Sequence, residues 1–156
     1  MPTIHLTTDI DAPIAVVFDL SRSIDLHQQS LAVTHERAVD GRTQGLIELD
    51  EEVTWEAVHF GIRQRLSVRI TSFERPFHFR DTMTRGIFKR FDHDHRFAEN
   101  GKGTIMTDDF DFTSPFGLLG RAVDRVYLER YMRKLLLSRN DMIKAVAERG
   151  AAGKCL

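Results

Sequence analysis

Six runs of alternating apolar and polar residues, at 33–39, 46–57, 60–70, 77–84, 88–97 and 104–112, precede one long stretch of helical periodicity. A period of two marks strands that bury one face, and apolar residues three and four apart mark a helix that buries one stripe. The links between the runs are mostly short, so the strands form an antiparallel meander. Its apolar face needs a cover, and the last helix is the only element large enough to supply one. The order predicts an α+β fold, one antiparallel sheet packed on a long C-terminal helix.

Residues 3–10 also alternate, with Ile4, Leu6 and Ile10 on one face, and predict a strand ahead of the meander. Asp11-Ala12-Pro13 opens a short helix over 14–20, because proline is favoured at a helix start. Ser23 or Asp25 caps a second short helix that runs through Ser30. In 46–57, Ile47, Leu49, Val53, Trp55 and Ala57 share a phase, leaving Glu48, Asp50, Glu52 and Glu56 outside. In 60–70, Phe60, Ile62, Leu66, Val68 and Ile70 share a phase, leaving Arg63, Arg65 and Arg69 outside. Acidic and basic outer faces on consecutive strands fit a hairpin. Asn100-Gly101-Lys102-Gly103 predicts a tight turn. Ser114-Pro115 starts the last helix, Gly117 and Gly120 loosen its first turns toward Arg121, and Gly150 ends it after Glu148. The expectation is one domain over 1–150 and a flexible tail over 151–156.

Several classes fall away on composition. A chain of 156 residues suits one domain and buries about two thirds of its unfolded surface, so its core needs no staple. The one cysteine, Cys155, rules out an internal disulfide and a cysteine-based zinc site. The longest apolar run, at 14–18, falls far short of the roughly 18 residues of a membrane span. No leader pattern opens the chain, so a cytoplasmic location is expected. The net charge of −1 argues against nucleic acid as a partner. The last helix carries +4 and the remainder −5. The plain reading is a solvated basic face; a weak membrane-surface contact or a protein partner is the sharper one.

Nine of the eleven phenylalanines fall between Phe60 and Phe112, which makes the inner face of the sheet dry. Polar residues nevertheless share that phase: Gln64, Asp81, His93, His95 and Asp108, with the indole N–H of Trp55. An inward polar group left without a hydrogen bond costs about 1–3 kcal/mol, so these residues form an internal network or contact a ligand. His93 and His95 point the same way, and Asp108 lies on the neighbouring strand. That set suits a structural His–Asp hydrogen bond, a general acid/base pair, or a two-histidine, one-carboxylate metal site. The first is the expectation, with no metal and no cofactor. His5, His27, His35, His59 and His78 are placed on outward faces or loops. The chain has no phosphate loop, no nucleophile elbow and no zinc-protease motif, so no catalytic residue is assigned.

The order of elements resembles the helix-grip fold of the SRPBCC superfamily, which includes START lipid-transfer domains, birch pollen allergens, polyketide cyclases and coenzyme Q-binding proteins. Local echoes are Ala12-Pro13 with Val17-Phe18-Asp19-Leu20, Val53-Thr54-Trp55-Glu56-Ala57 with His59-Phe60-Gly61, and the hairpin at Gly103-Thr104 that leads into Asp108 and Ser114. Bacterial ligand-binding members sometimes labelled cell-division-inhibitor-like are the subgroup it is most similar to. The resemblance implies a curved sheet wrapped around the helix, with an elongated apolar cavity between them. Trp55, Gln64, Phe79, Asp81, Phe91, His93, His95, Met106, Asp108 and Phe110 are then the candidate ligand contacts. Phe116, Leu118 and Leu119, on a glycine-flanked segment, are a candidate gate. The implied function is binding of a small apolar ligand (lipid, isoprenoid or polyketide-like) for carriage, sensing or presentation. A cyclase or dehydratase using the inward His and Asp residues is one alternative, and a protein-interaction module linked to cell division is another.

Overall fold

The computed structural model describes residues 3–114, 117 and 127–153. In chain order these form β1 (Thr3–Ile10), α1 (Ile14–Ser21), α2 (Ile24–Ser30), a 3₁₀ turn (Ala32–Thr34), β2 (Arg37–Gly41), β3 (Glu52–His59), β4 (Ile62–Glu74), β5 (His78–Arg85), β6 (Arg90–Asn100), β7 (Gly103–Thr113) and α3 (Glu129–Gly153). The strands make one antiparallel sheet in the order β1-β7-β6-β5-β4-β3-β2. The meander from β2 to β7 is closed by β1, which pairs along its whole length with β7, from Thr3 opposite Asp111 to Ile10 opposite Thr104. The sheet curves around α3, and α1 and α2 sit after the first strand: the fold is the α+β helix grip. No helix of the described residues is long and apolar enough to cross a membrane.

Phase decides which side chains meet. On β7, Thr104, Met106, Asp108, Phe110 and Phe112 are buried, while Asp109 and Asp111 face outward to Arg96 and Arg90. On the β3–β4 hairpin Glu52 lies opposite Arg69 and Glu56 opposite Arg65, and both pairs close as ion pairs. Phe60 and Gly61 form the two-residue turn of that hairpin, both with positive φ (53° and 74°), as the twist of paired strands favours.

Four local expectations change. Residues 33–36 are not strand, because Thr34 closes the 3₁₀ turn on Leu31 and His35 takes a left-handed φ of 54°; pairing starts at Arg37, where β3 offers a partner. Residues 46–51 are not strand either. Ile47 docks by backbone and side-chain hydrogen bonds on Arg22, and Asp50 turns the chain with φ 66°. Phe60 and Ile62 share the alternation of β4 but sit at the hairpin tip, more than half exposed. At the C-terminal end Gly150 does not take the positive φ of a helix cap, and α3 continues through it to Gly153. The expected start of the helix falls largely outside the described residues.

Phe18 of α1 anchors the packed end of the interior, fully buried with its ring edge-to-face against Phe73, Phe79 and Phe97 at 5.2–5.4 Å. Phe18→Ala should cost about 3–5 kcal/mol in urea denaturation, whereas Val33→Ala, at a position 81% exposed, should change stability by less than about 0.5 kcal/mol. Equal effects of the two would mean that α1 is not part of the core.

Candidate functional site: a cavity with one polar end

The helix backbone approaches β1, α1 and α2 closely and stands off from the β3–β5 part of the sheet. The gap is a cavity of about 560 Å³, within the usual range for small-molecule sites. Val53, Val68, Ile70, Phe79, Phe91 and Phe110 form its sheet wall. Leu128, Met132, Leu135 and Leu136 form its helix wall. The exposed tip residues Phe60 and Ile62 border it as well, so the cavity reaches the surface there.

Of the residues singled out in the sequence, Trp55, Gln64, Phe79, Asp81, Phe91, His93, His95 and Phe110 lie in the wall. Met106 and Asp108 do not. Met106 is fully buried in the core with its sulfur 3.4 Å from Ser21 Oγ, and Asp108 lies behind the two histidines. The gate residues Phe116, Leu118 and Leu119 lie outside the described residues.

Other wall residues were not expected. His27 and His59 line the cavity and do not point away from it. His27 packs on Trp55 with ring centroids 4.2 Å apart, and its Nε2 is 2.7 Å from Glu36. His59 Nδ1 is 2.6 Å from the Tyr131 hydroxyl, and burial lowers the pKa of this imidazole. Arg139, counted among the solvated charges of the last helix, is 4% exposed and also in the wall. Helical spacing carried that information: Arg139 and Asn140 fall three and four residues from both Leu136 and Ile143, on the buried stripe.

The polar end is one hydrogen-bonded cluster. Register places Asp81 opposite His93 across β5–β6, and His95 opposite Asp108 across β6–β7. Asp108 Oδ1 accepts from His93 Nε2 and His95 Nδ1, both at 2.9 Å, and Oδ2 accepts from the Asn140 amide at 2.7 Å. His95 Nε2 donates to Asp81 Oδ2 at 3.0 Å. Arg139 donates to the Ser21 carbonyl and the Asn140 Oδ1, and its Nη1 stands 3.6 Å from Asp108.

Burial would raise the carboxyl pKa of Asp108, but hydrogen bonds from His93 and His95 and the Arg139 charge hold it well below the usual range. Asp81 is lowered in the same way: burial opposes ionisation, and the His95 bond with the nearby cations outweighs it. Burial depresses His93, helped by the charge of His95. Burial pulls His95 down as well, but the bonds to Asp108 and Asp81 outweigh it and its pKa rises. Both ring nitrogens of His95 face carboxylate oxygens, which favours its charged form, whereas burial favours the neutral form of His93. Asp81, His93 and His95 also place one ligating atom each within 4.8 Å of one another, the donor set of a divalent metal. A metal there would have to displace the proton His95 shares with Asp81, beside the Arg139 charge.

Residues 1–148 match the family described as polyketide cyclase / dehydrase and lipid transport, and the chain belongs to it. Protein TTHA0849 of Thermus thermophilus has the same fold at TM-score 0.72 and 17% identity, covering 94% of this chain and 99% of its own. SA2116, a protein of unknown function from Staphylococcus aureus, gives TM-score 0.73 at 12% identity, covering 97% of this chain and 96% of its own. Ginseng major latex-like protein 151 from Panax ginseng gives 0.65 at 15% identity, covering 94% and 97%. No curated protein matches the sequence.

The cluster sets a pH window. The Asp108 contribution to stability is present above its ordinary value near 3.8 and is lost as pH falls through its depressed value. The His95 contribution is present below about 6.5 and is lost as pH rises through its elevated value. His93 acts oppositely: kept neutral in the fold, it costs stability below about 6.5. Asp108→Asn should lose about 3–5 kcal/mol near pH 6, and the deficit should shrink below pH 3.8. Nitrogen-detected NMR at pH 6.5 should find His95 protonated on both nitrogens and His93 on Nε2 alone. A neutral His95 beside a charged His93 would contradict the assignment.

Proposed function

We propose that this protein binds a small, largely apolar molecule in the cavity between sheet and helix, as a carrier, a sensor or a presenting protein. The observation that carries the reading is the cavity itself, about 560 Å³ with a mainly hydrocarbon wall. A space of that size lined by Leu, Ile, Val and Phe favours a lipid, isoprenoid or polyketide-like occupant. The subgroup reading, bacterial and cell-division-inhibitor-like, rests on the local sequence echoes, and a cytoplasmic location is proposed beside a fold with no membrane-spanning helix among the described residues. The basic residues of α3 other than Arg139 would suit a weak contact with an anionic membrane during ligand pick-up.

The test is native mass spectrometry of the purified protein, followed by titration with an apolar environment-sensitive dye. A saturable site should appear, and at a hundredfold excess over Kd the protein should gain about 2.7 kcal/mol, or roughly 5–10 °C in Tm. Leu66→Trp and Leu135→Trp, from opposite walls, should each weaken dye binding by about tenfold or more with the fold intact. A protein that neither carries nor accepts any apolar molecule would overturn the reading.

One observation favours the enzyme alternative. His93 lines the cavity with Nε2 held by Asp108, which leaves Nδ1 as a base oriented by a carboxylate. Product analysis after incubation with polyketide-like and isoprenoid candidates decides between the two. The binding reading expects wild type and His93→Gln to return the compounds unchanged; turnover by wild type that His93→Gln abolishes would make the protein an enzyme.

A further inference from the structure

We infer that the polar end of the cavity is a socket for a neutral hydrogen-bond donor, so that the bound molecule is apolar with a hydroxyl group, alcohol or phenol, at its inner end. The inference rests on the ligand-binding reading and adds the chemistry of the head group. It follows from counting which polar atoms the cluster has already used.

Most of the donors around His93 and Asp81 are committed to the protein. Both nitrogens of His95 donate, to Asp108 and to Asp81. His93 Nε2 faces Asp108 Oδ1, which as an ionised carboxylate oxygen can only accept, so Nε2 carries a proton, and burial favours leaving Nδ1 bare. The Asn140 amide donates to Asp108, and both Nη atoms of Arg139 donate to oxygens of Asn140 and Ser21. Arg22, also in the wall, is turned toward Asp19, Glu48 and the Ile47 carbonyl.

On His93 and Asp81 two acceptors remain. Among the described residues no partner meets His93 Nδ1 or Asp81 Oδ1. The two residues are cross-strand neighbours in the cavity wall, His93 5% exposed and the Asp81 side chain 19%. A lone pair on a buried ring and a free carboxylate oxygen side by side call for a hydrogen-bond donor, and an O–H group gives its one proton to either atom or shares it between the two. Charge selects among donors. Asp81 and Asp108 are matched by the His95 imidazolium and the Arg139 guanidinium, so the cluster has no surplus of either sign to offset an ion's desolvation. A carboxylate head would face the free oxygen of Asp81 and be repelled. An ammonium head would give up its hydration with no unmatched anion to meet.

A set of four probes on one apolar frame tests this: 4-phenylphenol, 4-methoxybiphenyl, biphenyl-4-carboxylate and biphenyl-4-methylammonium, titrated by calorimetry. The phenol should bind tightest, about tenfold over its methyl ether, with both ions weaker still. His93→Phe should remove most of the preference of phenol over ether while leaving ether binding in place. Asp81→Ala, at a partly exposed position, should reduce the same preference and serves if His93→Phe does not fold. Equal binding of phenol and ether, tightest binding of either ion, or a preference that survives both substitutions would overturn the head-group assignment alone. Failure of all four to bind a protein that takes up the apolar dye would overturn this inference alone; failure of the dye as well, with no co-purified ligand, would overturn the ligand-binding reading with it.

Discussion

A single buried carboxylate ties the two layers together where the cavity turns polar. Asp108 has no exposed surface, and its oxygens draw N–H groups from β6 on one side and from α3 on the other. An uncompensated charge at that depth would cost several kcal/mol, so the surrounding donors are obligatory. They also fix orientation. With one nitrogen each of His93 and His95 held by Asp108, the rings cannot turn, and the atoms they present to the cavity are determined.

The cavity follows from unequal packing of the helix. The part of α3 bearing Arg139, Asn140, Ile143 and Ala147 buries these side chains and packs on β1, α1 and α2. Nearer its start Leu128, Met132 and Leu135 reach toward the sheet without filling the gap. The aromatic residues divide accordingly. Phe18, Phe97 and Phe112 complete the packed core, whereas Phe79, Phe88, Phe91 and Phe110 present at least one edge to the open space. A saturated core would have placed further large side chains on β4, where Leu66, Val68 and Ile70 leave room.

Period-two alternation made much of this legible in the sequence. It put Asp81, His93, His95 and Asp108 on one face, and strand order put them side by side. It could not separate wall from core: Met106 and Phe110 share a phase on β7, and only the stand-off of the helix distinguishes them. Alternation also continued past the end of real pairing, so Ile47 and Phe60 read as strand where a docked loop and a hairpin tip occur. Arg139 was hidden by residue type, since an arginine on a basic helix reads as solvated unless its phase is weighed above its charge. The contribution of His27 to the wall depends on stacking against Trp55 from a separate element, a tertiary contact with no local pattern.

The proposed occupant of the space between sheet and helix is an apolar molecule. Isotope-filtered NOE spectroscopy on methyl-labelled protein with an unlabelled apolar probe measures this directly. Contacts should run from the probe to the methyls of Val68, Ile70 and Leu136 in the cavity wall, and none to the exposed Val33 and Leu49. Contacts confined to the exposed methyls, with the inner ones silent, would contradict it.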